Sequence, residues 1–143
     1  MSGGHETIAV GEAITGAPLE VTRQTIADFA EASLDFNPLH FDEGYMEGHF
    51  GKTQFGGVIA HGMSTFALIT TMMTDWLYPK GGRHRRLETK WLKPVRPGDT
   101  ISPQATVTRK IDSENSHWVV FAVEVKNQKG ELVATGEAMA EFP

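Results

Sequence analysis

Asp35-Phe36-Asn37-Pro38-Leu39-His40, followed by Phe55-Gly56-Gly57-Val58-Ile59-Ala60-His61-Gly62-Met63 and an apolar run to Leu77, is the stretch around which the chain is organised. Its first part sets a carboxylate and an imidazole five positions apart. The residue before a proline is pushed away from helical angles, and Pro38 has no N–H to give to a helix ladder. This part therefore reads as a constrained turn. Its second part sets glycine-flanked backbone at the start of a helix predicted over 62–77. Met63, Phe66, Ala67, Thr70 and Leu77 form one apolar stripe of that helix; Leu68, Ile69, Met72 and Trp76 form another. A helix with two apolar faces needs cover on both. Its threonines and Ile69 give it weak intrinsic propensity, so tertiary packing has to hold it. Pro79 and Gly81-Gly82 stop it.

Upstream, residues 1–6 read as frayed, and Ile8-Ala9-Val10 and Leu19-Glu20-Val21 as short extended pieces around Gly16. Thr22 is placed to N-cap a helix reaching Ser33, with Ile26, Phe29, Ala30 and Leu34 on its apolar face. Asp42 would cap a short turn through Tyr45 and Met46, and residues 47–54 read as a surface loop. Downstream the pattern is strand-like. Residues 87–93 alternate, Pro94-Val95-Arg96-Pro97-Gly98-Asp99 is a turn, and 100–110 is a β-prone run in which Pro103 marks an edge or a bulge. Residues 117–126 put Val119, Phe121, Val123 and Val125 on one side. Asn127-Gln128-Lys129-Gly130 is a hairpin loop before a return strand over 132–142, where Gly136 signals a bend or a close backbone approach. A long buried helix with at least four antiparallel strands after it gives an α+β fold, the sheet curling round the helix.

The 143 residues fit one domain over 1–143. A domain of this length buries roughly two-thirds of its unfolded surface, enough for a core without staples. There is no cysteine, which removes disulfides, thiolate metal sites and cysteine nucleophiles together. The net charge of -5, from 13 basic and 18 acidic residues, argues against nucleic acid as a partner. Met1-Ser2-Gly3-Gly4-His5-Glu6 lacks the basic start and apolar run of a signal peptide, and no apolar run approaches the ~20 residues of a membrane span. A cytoplasmic location and no membrane partner are expected. Six histidines raise a metal reading, but His40, His49 and His61 lack ligand spacing, and no metal is expected.

Asp35 to His40, Ile59-Ala60-His61-Gly62-Met63 and Lys93-Pro94-Val95-Arg96-Pro97-Gly98-Asp99 together resemble the MaoC-like hydratases, the (R)-specific enoyl-CoA hydratases of the hot-dog fold. The resemblance runs from about residue 20 to the C-terminus. It implies a sheet wrapped round a central helix, a homodimer joined edge to edge, and an acyl thioester substrate on coenzyme A or an acyl carrier protein, with no other cofactor. Asp35 and His40 match the catalytic pair, Asn37 a supporting residue, and Gly62 the backbone N–H that holds the thioester carbonyl. Thr70 stands where relatives carry a serine near the substrate. Leu34 stands where many relatives have glycine, which would change the angle of the loop. The segment 43–54 is longer than usual and borders the substrate mouth.

Adding water across a 2-enoyl thioester to give an (R)-3-hydroxyacyl thioester needs a group to take a proton from water, a proton for C2, and donors for the enolate oxygen. A histidine titrates near working pH, and a helix N-terminus offers unpaired N–H groups. Each residue also has a plainer reading. Asp35 would cap local backbone and His40 would pack beneath Pro38. His61 reads better as a structural hydrogen-bond partner than as a catalyst. Thr70 would bond the carbonyl one turn back. Met63, Met72 and Met73 are core filler that could double as a tunnel wall. Arg83, Arg85 and Arg86, near Lys90, Lys93 and Arg96, form either a solvated strand edge or a dock for coenzyme A phosphates or an acidic carrier protein. The rival functions are a hot-dog thioesterase and a non-catalytic acyl-thioester-binding partner subunit.

Overall fold

The structure, a computed structural model, describes residues 4–48 and 55–143. Thr22 opens α1 (Arg23–Ser33) with a reciprocal cap. The Thr25 N–H donates to Thr22 Oγ1 at 3.0 Å, and the Thr22 N–H donates to Thr25 Oγ1 at 2.9 Å. Ile26 and Ala30 are buried as the spacing predicts. Leu34 departs from that face. It terminates the helix in the left-handed region (φ 63, ψ 24), donates its N–H to the Ala30 carbonyl at 2.7 Å, and leaves its side chain 78% exposed. A left-handed residue points its side chain off the helical stripe, so helical spacing misplaced it. The conformation is one glycine reaches without strain, so the chain leaves α1 as it would from a glycine.

The turn that follows is a 3-10 helix over Pro38–His40, and α2 (Glu43–Gly48) begins where Asp42 Oδ1 accepts the Tyr45 N–H at 2.9 Å. Structure thus extends further into the expected 47–54 loop; the rest of that loop, with His49, lies outside the described residues. The helix α3 (Gly62–Leu77) has the predicted bounds. It buries Thr65, Ile69, Met72, Met73 and Leu77, while Met63 is 51% exposed and Ala67 faces outward. Among the described residues one apolar face is covered and the other is open, so the expected cover on both faces is not met by them.

The sheet has β1 (Ala13–Thr15), β2 (Leu19–Glu20), β3 (Arg83–Trp91), β4 (Thr100–Asp112), β5 (His117–Lys126) and β6 (Leu132–Phe142). All the described pairings are antiparallel, in the order β1-β4-β5-β6-β3, with β2 continuing alongside β4 where β1 leaves it. Pro103 occupies that change-over, which is why an interior strand tolerates it. Its carbonyl accepts from Gly16 N, and its missing N–H faces the gap between β1 and β2. The bulge in β4 lies further on, between Val107 and Arg109. Gly136 is a close approach, as read: a Cβ there would strike the Glu88 carbonyl across the β3–β6 pair. The core lies between α3 and the concave face of the sheet, where Trp76 meets Phe121 edge-on at 5.8 Å.

Two upstream expectations change. Ile8-Ala9-Val10 is not a strand; the Gly11 N–H reaches Val107 O, and only Ile8 of the three is buried. Of residues 1–6, expected to fray, 1–3 lie outside the described residues and 4–6 are held, because Lys110 Nζ donates to both the His5 and Ile8 carbonyls at 2.9 Å and His5 stacks on His117 with centroids 4.5 Å apart. Both corrections come from contacts about a hundred residues away in sequence, which local pattern does not encode.

Candidate active site

Local hydrogen bonds shape the Asp35–His40 turn. Asp35 Oδ1 accepts the Asn37 N–H at 3.2 Å, Asn37 Oδ1 accepts the Leu39 N–H at 3.1 Å, and the His40 N–H reaches the Asn37 carbonyl at 3.0 Å. These are Asx turns, which the residue types favour. Asn37 supports the loop from within it. The turn is then laced to the segment before α3, the Ile59 N–H donating to the Leu39 carbonyl at 3.1 Å.

Two imidazoles are fixed by that lacing. His40 Nδ1 lies 2.7 Å from the Ile59 carbonyl, which can only accept, so Nδ1 carries the proton and Nε2 keeps the lone pair. His61 Nε2 lies 2.9 Å from the Asp35 carbonyl, so by the same reasoning His61 Nδ1 keeps its lone pair. That Nδ1 is buried with no partner. The rings stack at 3.7 Å between centroids, 24° from parallel, and Phe29 packs on the far ring at 4.9 Å. Ring nitrogens of His40 and His61 and a carboxylate oxygen of Asp35 all lie within 4.8 Å of one another. His40 is buried, while Asp35 is exposed. Burial lowers the His40 pKa below 6.5, opposed by the Ile59 hydrogen bond; His61 lowers it further and Asp35 raises it. His40 is therefore neutral near pH 7, with Nε2 a free base.

Gly62, as the first residue of α3, has no intrahelical acceptor for its N–H. It lines a cavity of about 300 Å³ with Phe55, Ile59, Thr65, Trp91 and Val133, and His61 lines it too. Thr70 lies two turns along, outside that lining, and its hydroxyl donates to the Ala67 carbonyl at 2.9 Å, as its plainer reading has it. The arginines are elsewhere in this protomer. Arg85 pairs with Glu141 at 2.6 Å, Arg86 with Glu88 at 2.6 Å and Glu137 at 3.5 Å, and Arg83 lines a separate hollow with Asn115 and Phe142. Arg83 begins the strand that Trp91 ends, roughly 26 Å away at a strand's rise per residue.

Asp35 and His40 converge on His61, whose chain neighbour Gly62 lines the cavity; neither Asp35 nor His40 is in that lining, and Thr70 and the arginines stand apart from both. The convergence of His40 with His61, unexpected from their spacing, brings Asp35, His40 and His61 within ligand distance of one another; His5, Asp112 and His117 form a separate group of the same kind. Reading from residue types alone missed Thr65 and Trp91. A tryptophan ending an alternating strand carries no local signal that it will cross to a helix start.

An antiparallel sheet wrapped on one long helix is the hot-dog fold. Within that fold the chain belongs to the MaoC like domain family, which matches residues 7–129. It is 30% identical over 118 residues to the (R)-specific enoyl-CoA hydratase of Aeromonas caviae, covering 82% of this chain and 84% of that one. The solved (R)-hydratase from A. caviae superposes with a TM-score of 0.80, at 28% identity, over 96% of this chain and 99% of that one. A monoamine oxidase regulatory protein from Archaeoglobus fulgidus superposes with a TM-score of 0.84, at 36% identity, over 96% and 92%. No described helix is long and apolar enough to cross a membrane.

Proposed function

We propose that this protein is a hydro-lyase that adds water reversibly to a trans-2-enoyl thioester, giving an (R)-3-hydroxyacyl thioester. The observation that carries the reading is the convergence of the Asp35 carboxylate with His40, whose tautomer leaves Nε2 basic. Donor atoms that close can share one water. In this mechanism the pair takes a proton from that water as its oxygen bonds to C3, and returns a proton to C2 on the same face. The electron pair of the double bond moves onto the thioester as an enolate, and the Gly62 N–H, at the positive end of α3, holds its oxygen. Asn37 keeps the turn in shape; Thr70, outside the cavity lining and bonded to the Ala67 carbonyl, takes no step in this mechanism. Coenzyme A enters as part of the substrate; no other cofactor is invoked.

The open face of α3 and the edge of β3, both uncovered among the described residues, support a homodimer. Two copies pairing antiparallel along β3 would bring the arginines of one toward the Trp91 end of the other. That is the arrangement in which Arg83, Arg85 and Arg86 would dock phosphates or a carrier protein. A cytoplasmic location fits the same reading.

The test is a panel of 2-enoyl-CoA thioesters from four carbons upward, following loss of the conjugated double bond with chiral analysis of the product. Asp35→Asn and His40→Gln should each lower kcat by about 10²–10⁴, the usual share of a general acid–base group. Near wild-type hydration by either variant removes its residue from the mechanism. Free thiol release instead of hydration marks a thioesterase, and tight acyl-CoA binding without turnover marks a non-catalytic subunit.

A further inference from the structure

Gly62 has no conformational need to be glycine. Its φ lies outside the left-handed region, and glycine inside a helix costs about 0.5–1 kcal/mol relative to alanine. What needs the missing side chain is Trp91. A Cβ on Gly62 would lie 2.8 Å from Trp91 Cε2, 2.9 Å from Nε1 and 3.2 Å from Cδ2, so the indole rests against the Gly62 backbone. Trp91 Nε1 then donates to the Gly62 carbonyl at 2.9 Å. The ring is anchored at both its face and its polar edge, yet the residue is 50% exposed.

The location of the ring gives this anchoring its meaning. Trp91 is the last residue of β3, paired with Ala134, and just beyond it the Leu92 and Lys93 N–H groups both reach the Val133 carbonyl. The strand therefore stops advancing at that point. The indole stands at the mouth of the cavity that Gly62, Thr65 and His61 line, and Leu92, also half exposed, continues the same wall. An aromatic ring held by one hydrogen bond and one glycine contact is a rigid wall, because its rotamer is set from two sides.

We infer that Trp91 is a specificity-determining residue: its indole sets the cross-section of the thioester path where that path meets the N-terminus of α3. The inference deepens the proposed function and rests on it. A slender, unbranched thioester passes the ring, whereas bulk at C2 or beyond meets it. The indole N–H acts separately, by holding the Gly62 carbonyl and so the first turn of α3, whose neighbouring N–H faces the thioester oxygen.

The experiment compares wild type, Trp91→Phe and Trp91→Ala on crotonyl-CoA, its 2-methyl analogue and longer straight-chain 2-enoyl-CoAs. Circular dichroism and thermal melts check the fold of each variant. Loss of ring bulk should move the kcat/KM ratio of 2-methyl to unbranched substrate at least tenfold toward the branched one in the alanine variant. A missing contact of a few carbons in a pocket is worth that much. The phenylalanine variant keeps a ring and should keep the wild-type ratio, with its loss confined to kcat. If Trp91→Ala fails to fold, Trp91→Leu serves, with the same expected direction. Parallel substrate profiles in all folded variants overturn this inference alone and leave hydration standing. Absence of wild-type turnover overturns both.

Discussion

The imidazoles of His40 and His61 stack at 3.7 Å, each with one nitrogen committed to a backbone carbonyl of the opposite segment. His40 bonds the strand-like lead into α3, and His61, at the cap of α3, bonds back to the Asp35 carbonyl. The pair is a reciprocal clasp, and it sets the gap between Asp35 and His40. His61 is then a positioning residue, and its variants should say so. His61→Gln places an amide donor near the old Nε2 and should retain most of kcat. His61→Ala loses the donor and the stack, and should lower kcat at least tenfold while costing about 2 kcal/mol of stability for the carbonyl left unpaired. Equal loss in both variants would instead place the free Nδ1 in the chemistry.

Activity should depend on His40 being neutral. Desolvation by burial holds its pKa below 6.5, so protonation sets in on the acid side of that value. kcat/KM should be flat around pH 7–8 and fall as pH drops through the lowered pKa of His40. A pH–rate profile checks this; a rate that rises on acidification would give the basic role to another group.

Stability should fall in the same direction. His5, His40 and His84 all have pKa values lowered, first by burial. Between the folded and unfolded pKa of such a histidine the unfolded chain binds more protons. Stability from this source is full above about pH 6.5 and is lost as pH falls through the folded values. Asp112, lowered first by its hydrogen bond from His117, and Glu131, lowered first by Lys93, add the same sense at lower pH. Thermal melts from pH 8 to pH 5 should show a plateau and then a declining Tm.

Leu34 holds a left-handed conformation with its side chain in solvent. Such a conformation costs an L-residue about 1–2 kcal/mol, and almost nothing is packed against the exposed side chain. Leu34→Gly should therefore stabilise the protein by about 1 kcal/mol, net of the glycine's greater unfolded entropy, as read from urea denaturation. An unchanged or lower midpoint would show that the leucine makes a contact beyond those within the single chain.

Much of the architecture was legible because its signals are local. Thr22 announces a cap, Pro38 forbids helix, and Val119, Phe121, Val123 and Val125 alternate onto one face. The failures share a cause. Leu34 satisfied helical spacing but not helical angles, and the tail that looked frayed is held by Lys110. Ile8-Ala9-Val10 has strand composition, but the backbone bonds to β4 start only after it, at Gly11 and Glu12, and Ile8 is held by the Lys110 side chain.

The site divides the same way. Residue order alone determined that an aspartate and a histidine share one rigid turn and that a glycine opens the buried helix, because proline, Asx turns and apolar periodicity act over a few residues. Tertiary structure decided that His61 lies under His40, that Trp91 closes on Gly62, and that Arg83, Arg85 and Arg86 stand far from both within one chain. Those relations join elements tens of residues apart, and only the packing of the sheet around α3 brings such groups within hydrogen-bonding or stacking range.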